Sequence, residues 1–303
     1  MTNVAQYKIA ERFLGHIRFS EPLSRHTSWH VGGPADVFYE PKSGSELADF
    51  LKELPADVPC HVIGLGSNTL VRDGGVRGVV VSLQQSLDRL EWLGGNRIHA
   101  DAGVACARVA RQCAKWRLGP AEFFAGIPGT VGGALAMNAG AWGADTWSCV
   151  SEVDVIDRTG TCRTRKVSEY RWGYRQVDPP AVGEWFTAAR FEFTDVTDSA
   201  AEKIKKLLAQ RRETQPIGDW SGGSTFTNPS GDHAARLIES AGLKGVRQGG
   251  AVVSEKHANF ILNEGTATAK DIEVLITYVR SEVQRVHGVN LRTEVLIVGE
   301  DRA

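Results

Sequence analysis

The sequence lacks the patterns by which several common classes of functional site are recognised. Its eight histidines include no H-E-x-x-H pair and its five cysteines include no C-x-x-C pair, so we expect no metal site and no redox-active dithiol. No segment approaches the roughly 18 apolar residues of a membrane-spanning helix, and the charged N-terminal stretch lacks the apolar region of a signal peptide. We therefore expect a cytoplasmic protein without a membrane partner, whose cysteines are reduced and mostly buried.

An excess of charge of either sign is also missing. Lys and Arg number 35 against 36 Asp and Glu, which leaves a formal net charge of -1 at pH 7. Balanced charge gives no reason to expect a nucleic-acid partner, and we interpret the basic cluster at 203–212 as a solvated helix face. With 42% apolar and 23% charged residues, the 303-residue chain has the composition of a globular protein of two or three domains.

Hydrophobic periodicity predicts helices that are interspersed with many strands. In 268–288, Thr268 and Asp271 match a capping box, and the apolar residues as far as Val286 share one helical face. The other helices are predicted at 45–54, 104–116 and 198–213. Strands are predicted at 61–64, 78–83, 149–157, 161–167, 185–193 and 293–299, with a hairpin at 88–101. This mixed order favours an α+β fold over a regular βαβ alternation.

Two glycine-rich loops are the clearest signs of a ligand site. The segment GLGSNTL at 64–70 follows a predicted strand and exposes successive backbone N–H groups, which suit phosphate oxygens. It is not a G-x-G-x-x-G fingerprint, and by itself it is also compatible with a plain turn-rich loop. The segment at 125–143 is rich in glycine and poor in charge, which predicts a buried loop lying against a ligand. Together the two loops indicate an extended groove for a large, flat dinucleotide.

A series of motifs covers nearly the whole chain, from about Phe19 to Gly299. In chain order they are HTSWHVGGPAD, GLGSNTLVRDGG, AGIPGTVGGALAMNAGAWG, WGYR, RRETQP, GGSTFTNP, AGLKGVRQGGAVVSEKHANFILN and LRTEVLIVG. In their order and spacing they closely resemble the UDP-N-acetylenolpyruvoylglucosamine reductase family, also called UDP-N-acetylmuramate dehydrogenase. The short interval between Arg175 and Ser224 is similar to the shorter form of that family.

The resemblance implies a cytoplasmic, FAD-containing oxidoreductase of bacterial peptidoglycan synthesis, and hence of cell-wall biogenesis, cell shape and cell division. Such an enzyme uses NADPH as co-substrate and reduces an enolpyruvyl ether on a UDP-sugar to a lactyl ether. The implied fold is a two-lobed FAD-binding domain of the vanillyl-alcohol-oxidase (PCMH) type, followed by a smaller α+β substrate-binding domain. On this basis we predict a monomer with lobe 1 at 1–84, lobe 2 at 85–198 and the substrate-binding domain at 199–303.

The same resemblance implies where the cofactor and the substrate bind. The expected FAD contacts lie in the two glycine-rich loops and at one arginine: Gly64, Gly66, Ser67, Asn68, Thr69, Gly126, Pro128, Gly129, Gly132, Gly133, Gly140 and Arg212. The expected substrate contacts are Tyr174, Asn228, His257 and Asn259. Among these, Asn228 matches a position near the diphosphate of the substrate.

Reduction of an enolpyruvyl double bond requires that the charge developing beside its carboxylate be stabilised. By resemblance, a hydride comes from N5 of reduced FAD, and Arg175 binds the carboxylate with its planar guanidinium group. Glu294, which lies among apolar residues, is expected to stay protonated and to donate a hydrogen bond to that carboxylate. Ser224 is expected to give the proton to the carbon that bears the charge, and the glycines before it to allow close approach to flavin and substrate.

Two positions depart from the pattern of the family. Thr227 stands where lysine is common, so a cation for the diphosphate is either missing or supplied by Lys256 or another residue. Val177 stands where a serine commonly follows the arginine motif, which puts in doubt one hydrogen bond to Arg175. Without the resemblance, the segment GGSTFTNP would be interpreted as a polar turn.

Two other functions are compatible with these motifs. One is an FAD-dependent alcohol oxidase on the same flavin fold, which would form hydrogen peroxide from an alcohol. The other is a catalytically silent module that binds flavin or a UDP-sugar. The combination of Arg175, Ser224 and Glu294 favours the reductase, and the absence of G-x-S-x-G around Ser224 argues against a hydrolase.

Overall fold

The computed structural model of the protein describes residues 7–195 and 200–302. Helices and strands are mixed along the chain, which confirms the α+β prediction. The α-helices are α1 (Gly44–Glu53), α2 (Cys106–Trp116), α3 (Val131–Met137), α4 (Ala200–Thr214), α5 (Ala234–Ser240) and α6 (Ala269–His287). The predicted boundary between 198 and 199 lies outside the described residues, so the structure does not test it.

The strands are short and mostly joined by turns. The first eleven are β1 (Ile17–Pro22), β2 (Pro34–Tyr39), β3 (Cys60–Ile63), β4 (Thr69–Val71), β5 (Val76–Ser82), β6 (Leu90–Gly94), β7 (Arg97–Asp101), β8 (Leu118–Gly119), β9 (Gly140–Ala141), β10 (Ala144–Asp145) and β11 (Val150–Asp157). The others are β12 (Cys162–Lys166), β13 (Arg171–Gly173), β14 (Gln176–Asp178), β15 (Glu184–Glu192), β16 (Thr194–Asp195), β17 (Trp220–Ser221), β18 (Arg247–Gln248), β19 (Ala251–Val253), β20 (Ile261–Asn263) and β21 (Leu296–Val298).

The chain divides into two compact units, each made of several segments. The first unit comprises Met1–Phe19, Val37–Leu65 and Gly78–Ala209. The second unit comprises Ser20–Asp36, Gly66–Arg77 and Gln210–Ala303. Both units therefore contain residues that are distant in the sequence, and one of the predicted ligand loops, at 64–70, contributes residues to each.

The first unit contains a five-stranded antiparallel sheet in the order β12-β11-β15-β7-β6. Helices α2 and α3 share a hydrophobic core with this sheet, through residues such as Val109, Leu135 and Val153. A second core forms around α1, whose Leu47 and Phe50 are 1% exposed. The predicted helix at 104–116 and the predicted hairpin at 88–101 are thereby confirmed.

The second unit contains a four-stranded antiparallel sheet in the order β17-β20-β19-β18, and α6 shares its core. The predicted capping box is confirmed, because Thr268 Oγ1 accepts from the Asp271 N–H at 3.1 Å and the Asp271 carboxylate accepts from the Thr268 N–H at 2.9 Å. Val286 continues the predicted apolar face but is 43% exposed, whereas Val283 is fully buried. The last turn of α6 is largely exposed, so its apolar face ends one turn earlier than the periodicity indicates.

Three further expectations need correction. The segment 125–143 is not only a loop, since it contains α3, which begins at a threonine cap and buries Val131, Ala134 and Leu135. The strand predicted at 293–299 is limited to β21, which pairs in parallel with β4. The expectation of buried cysteines fails for Cys162, which is exposed; Cys106 and Cys113 are buried, and burial raises the pKa of the thiols of the partly exposed Cys60 and Cys149.

Candidate active site

A cavity of about 260 Å³ lies within the first unit. Three of the predicted FAD residues, Gly64, Gly132 and Gly133, line it together with apolar side chains such as Val62 and Phe186. Ligand sites of this kind combine apolar walls with a few backbone groups that fix the orientation of the ligand. The cavity therefore fits a flat aromatic ring system such as part of a flavin dinucleotide.

The backbone beside the cavity is close-packed around Thr130, a residue that the sequence analysis missed. A Cβ on Gly64 would lie 2.6 Å from Thr130 Oγ1, so only glycine fits there without a shift. Thr130 also caps α3, since its Oγ1 accepts from the Gly133 N–H at 3.4 Å. A Cβ on Gly133 would meet no described atom closer than 3.7 Å, which leaves room beside the cavity. Threonine three residues before this glycine is a recognisable N-cap pattern.

Other predicted FAD residues of the first unit pack against protein. A Cβ on Gly126 would lie 2.6 Å from the Cβ of Ala141, and one on Gly140 would lie 2.4 Å from the carbonyl oxygen of Ala144. These glycines permit the close approach of the β9–β10 hairpin to its neighbours. Pro128 and Gly129 precede the Thr130 cap, and the Gly129 carbonyl accepts from the backbone N–H of α2 at Cys106. Their roles as cofactor contacts stay predictions.

Arg175 and Tyr174 form the two-residue turn between β13 and β14. Arg175 has a left-handed backbone with φ of 54°, and its guanidinium carbon lies 5.6 Å from the centroid of the Tyr174 ring. Its Nη1 donates to the carbonyl oxygen of Asn138 at 3.3 Å, and its Nη2 donates to that of Gly140 at 3.1 Å. The side-chain amide of Asn138 in turn donates to the carbonyl of Gly173 at 2.9 Å. Two backbone carbonyls thus orient the guanidinium, a role that the side chain of Val177 cannot fill because it has no hydrogen-bonding group.

The other predicted FAD residues, Gly66, Ser67, Asn68, Thr69 and Arg212, belong to the second unit. A Cβ on Gly66 would lie 2.0 Å from the carbonyl oxygen of His26, so this glycine is required by the packing of the loop against the 26–28 backbone. The Asn68 side chain donates to the carbonyl oxygen of Glu294 at 3.1 Å, and the Asn68 carbonyl accepts from the N–H of Leu296 at 3.0 Å. The loop therefore supports the segment that contains Glu294.

Ser224 lies on an extended stretch, residues 222–228, that we call the serine segment. Phe226 forms an antiparallel bridge with Thr293, and the Glu294 N–H donates to the carbonyl of Thr225 at 2.9 Å. The structure thus brings Ser224 and Glu294 onto adjacent backbone segments, although they are far apart in the sequence. Both side chains are partly exposed, and no described residue forms a hydrogen bond with Ser224 Oγ.

The start of the serine segment is packed against Trp29, which the sequence analysis did not single out. A Cβ on Gly222 would lie 2.4 Å from the Trp29 ring, which is fully buried. The Trp29 indole N–H donates to the carbonyl of Ile261 at 2.8 Å, and Ser28 Oγ donates to that of Ser221 at 2.6 Å. Gly222 is therefore required by the packing of the segment on the HTSWH motif, a reason that the sequence did not reveal.

The two residues after Phe226 have different neighbours. The Asn228 side chain accepts from the Ala234 N–H at 3.0 Å, at the start of α5. The N–H of Thr227 donates to the carbonyl of Arg292 at 2.9 Å, and Arg292 Nε donates to Thr227 Oγ1 at 3.5 Å. Lys256, the cation named from the sequence, instead donates from Nζ to the carbonyl of Arg212. The cation beside Thr227 is therefore Arg292.

The remaining predicted substrate residues, His257 and Asn259, follow β19. Burial lowers the pKa of His257, whose Nδ1 is enclosed without a hydrogen-bond partner among the described residues. Asn259 is 4% exposed, and both polar atoms of its side chain are bonded to the backbone of Phe226. A direct contact of either residue with a substrate stays a prediction.

Comparison with known proteins identifies the family. A model of the FAD binding domain matches residues 35–165, and a model of the C-terminal domain of UDP-N-acetylenolpyruvoylglucosamine reductase matches residues 215–298. The UDP-N-acetylenolpyruvoylglucosamine reductase of Alkalilimnicola ehrlichii is 56% identical over 287 residues, which are 94% of this chain and 96% of the relative. The chain belongs to the UDP-N-acetylenolpyruvoylglucosamine reductase family.

Further relatives agree with this assignment. The reductase of Legionella pneumophila (strain Paris) is 50% identical over 289 residues, which are 94% of this chain and 95% of that protein. The crystal structure of the reductase from Thermus caldophilus is similar with a TM-score of 0.79 at 31% identity, over 93% of this chain and 97% of that chain. The predicted α+β fold, with an FAD-binding domain followed by the C-terminal domain of the reductase family, is confirmed, and the chain is an FAD-binding oxidoreductase. None of the helices described here has the length and the apolar composition that crossing a membrane requires.

Proposed function

We propose that the protein reduces the enolpyruvyl ether of UDP-N-acetylglucosamine enolpyruvate to UDP-N-acetylmuramate, with FAD as bound cofactor and NADPH as co-substrate. The proposal includes a monomeric enzyme in the cytoplasm that acts in peptidoglycan precursor synthesis. The observation that supports it most is the hydrogen bond from the Glu294 N–H to the Thr225 carbonyl. This bond holds the backbone segments that carry Glu294 and Ser224 next to each other. Membership of the reductase family makes this pairing informative about one particular reaction.

The reaction adds one hydride and one proton across a carbon–carbon double bond. Bound FAD, which the two glycine-rich loops would hold, would supply hydride chemistry between NADPH and the terminal carbon of the enolpyruvyl group. The electron pair of the double bond then resides on the neighbouring carbon and is shared with its carboxylate. The protein must stabilise that charge and provide the proton, so that two electrons and two hydrogen nuclei are added in total.

Arg175 is the proposed ligand of the substrate carboxylate. A guanidinium group offers two parallel N–H donors to a carboxylate, and the carbonyls of Asn138 and Gly140 orient the Arg175 side chain by accepting from its Nη1 and Nη2. Because these partners are backbone atoms, the orientation does not depend on a neighbouring hydroxyl at position 177. This supports the assignment despite the valine found there.

Glu294 and Ser224 are the proposed donors. In its protonated form Glu294 donates a hydrogen bond to the carboxylate as charge accumulates, and Ser224 Oγ gives its proton to the adjacent carbon. A hydroxyl is a weak acid, but a carbanion-like centre is a strong base, so a well-oriented serine suffices. The partial exposure of Ser224, without a hydrogen bond from its Oγ to the described residues, is compatible with direct contact to a substrate.

Asn228 and Arg292 are proposed to contact the diphosphate of the substrate. Arg292 hydrogen-bonds to Thr227, and it is exposed and forms no ion pair with the described residues. An arginine there provides the positive charge that lysine provides at position 227 in many relatives. Arg212 and His257 remain proposed contacts of the cofactor and the substrate, respectively.

The test is a visible spectrum followed by an NADPH assay. We expect a yellow protein whose oxidation of NADPH is fast only when the enolpyruvyl UDP-sugar is present, with one lactyl ether formed per NADPH consumed. A colourless protein without affinity for FAD would contradict the proposal. Hydrogen peroxide formed from an alcohol would instead favour an oxidase.

A further inference from the structure

Asn259 lies beside the serine segment and pairs with it as a strand would. The Asn259 Oδ1 accepts from the Phe226 N–H at 3.0 Å, and its Nδ2 donates to the Phe226 carbonyl at 2.8 Å. The Asn259 carbonyl accepts from the Thr225 N–H at 2.8 Å. One residue therefore satisfies three backbone groups of two consecutive residues, immediately after Ser224.

The opposite edge of the same segment is paired with residues 292–294. The Thr227 N–H donates to the Arg292 carbonyl and the Thr225 carbonyl accepts from the Glu294 N–H, both at 2.9 Å. The backbone between Thr225 and Thr227 is thus held from two sides, by Asn259 on one side and by an antiparallel bridge on the other. Each buried backbone group would be costly to leave unpaired, so this arrangement fixes the segment in one conformation.

The side chain of Asn259 is almost fully buried and is bonded to the backbone of the serine segment. It is 4% exposed, its carbonyl oxygen and its amide nitrogen both bond to Phe226, and the neighbouring Ala258 and Phe260 are buried as well. A residue that contacts a nucleotide must present a polar atom to it. The bonds of Asn259 are directed to the backbone that carries Ser224 instead.

We infer that Asn259 is a positioning residue, which sets the location of the Ser224 hydroxyl by fixing the backbone of Thr225 and Phe226. This inference rests on the proposed function, because it assigns Ser224 the role of proton donor. Proton transfer to carbon needs the donor within hydrogen-bond reach of its target, and a displacement of about 1 Å costs on the order of a hundredfold in rate. Loss of the Asn259 side chain should therefore slow the step that uses Ser224 and leave the other steps intact.

The experiment separates the two half-reactions in the holoenzyme. In Asn259→Ala, we expect reduction of the bound flavin by NADPH to stay within about twofold of wild type and reoxidation by the enolpyruvyl UDP-sugar to slow by about 10- to 100-fold. In Ser224→Ala, the further change Asn259→Ala should alter reoxidation by less than about twofold, because the positioned hydroxyl is gone. Equal slowing of both half-reactions, or effects that multiply in the double variant, would overturn the inference.

A matched control is Asn263→Ala. Asn263 is also buried, and its side chain makes three hydrogen bonds to backbone, to Trp29, Gly265 and Ala267, where that of Asn259 makes two. We expect it to lower the melting temperature about as much as Asn259→Ala without the selective loss of reoxidation. If both variants slow reoxidation equally, general destabilisation explains the effect and the inference fails.

Amide hydrogen exchange tests the positioning independently of the reaction. The N–H of Phe226 should exchange at least about tenfold faster in Asn259→Ala than in wild type or Asn263→Ala, and unchanged protection would overturn the inference. If wild type itself fails to reduce the UDP-sugar, the proposed function fails while the exchange result still decides whether Asn259 fixes the segment. If wild type is active and Ser224→Ala is not, but Asn259→Ala behaves as wild type, this inference alone fails.

Discussion

The cavity of the first unit and the serine segment of the second unit are specified in different ways. Around the cavity, glycines remove side-chain atoms, so that Gly64 approaches Thr130 and Gly133 leaves space open. Along the serine segment, buried partners from distant parts of the chain, among them Trp29 and Asn259, hold one extended backbone. The cavity is thus formed by the absence of side-chain atoms, whereas the position of the Ser224 hydroxyl depends on many packing and hydrogen-bond contacts.

Burial shifts the pKa of side chains in both regions. Burial raises the pKa of Tyr170, which lines the cavity, to about 12, so this group stays neutral at physiological pH. Near the serine segment, burial lowers the pKa of His257, a residue that ordinarily titrates close to neutrality. Burial also lowers the pKa of His61 on β3 of the first unit, so we expect the stability of both units to fall as the pH drops.

The largest effect should come from removal of the Ser224 hydroxyl, which tests the serine segment without altering the cavity. We predict that Ser224→Ala lowers product formation by at least about a thousandfold, because no other proposed group provides the proton to carbon. Reduction of the flavin by NADPH should be unchanged, since that half-reaction does not use the Ser224 hydroxyl. Stopped-flow spectroscopy of the two half-reactions measures both. Turnover at the rate of wild type would remove Ser224 from the mechanism.

The reciprocal change, Gly64→Val, should damage the cavity and spare the segment. The new side chain would begin 2.6 Å from Thr130 Oγ1, so the loop or the α3 cap must move. We predict a loss of FAD affinity of at least about tenfold, measured by flavin fluorescence on titration of the apoprotein. Gly15→Ala is the matched control, because a Cβ at Gly15 meets nothing within 4 Å. Equal FAD affinity of Gly64→Val and the control would refute the cavity as the flavin site.

A smaller effect is expected from Arg292→Ala, which removes charge beside the serine segment without removing its backbone pairing. We predict a rise in KM for the UDP-sugar of about tenfold with kcat nearly unchanged, as expected for loss of one charge-assisted contact to a diphosphate. Adding Thr227→Lys should restore much of the affinity, since lysine then occupies the position common in the family. Steady-state kinetics measures this. As a control, Arg280→Ala changes another exposed arginine of the same unit and should leave KM unaltered.

The smallest effect concerns pH. Because the pKa of His257 is lowered in the folded state, the unfolded state binds more protons below its ordinary pKa of about 6.5, and stability must fall as the pH drops through that value. We predict that His257→Gln loses less stability than wild type between about pH 8 and about pH 5. Denaturant unfolding at a series of pH values measures the difference. Parallel stability curves for the two proteins would show that His257 is not a source of the pH dependence.

The fold was predictable from the sequence where local signals agree. The capping box of Thr268 and Asp271 and the apolar face through Val283 define α6 without reference to any other part of the chain. Local signals mislead where packing decides the structure: the glycines of 125–143 predict a loop, but burial of Leu135 and the Thr130 cap stabilise α3 there. Val286 continues the periodicity and is exposed, because periodicity cannot show where the neighbouring core ends.

The sequence names candidate residues for the site but not the contacts that these residues make. Arg175, Ser224 and Glu294 were named from motifs, since each motif is local and similar to the family. The contact of Arg292 with Thr227 was not predictable, because it joins positions 65 residues apart. The sequence suggests Lys256 as the cation for the diphosphate, but the Nζ of Lys256 donates to the carbonyl of Arg212.

The sequence alone determined the types of element, the two glycine-rich loops and the family of the chain, because these depend on the order of neighbouring residues. Only the tertiary structure decided that Gly222 lies against the ring of Trp29 and that Asn259 pairs with the backbone of Phe226. Hydrogen bonds and van der Waals contacts act over a few ångströms of space, and the distance between two residues along the chain gives no measure of that separation.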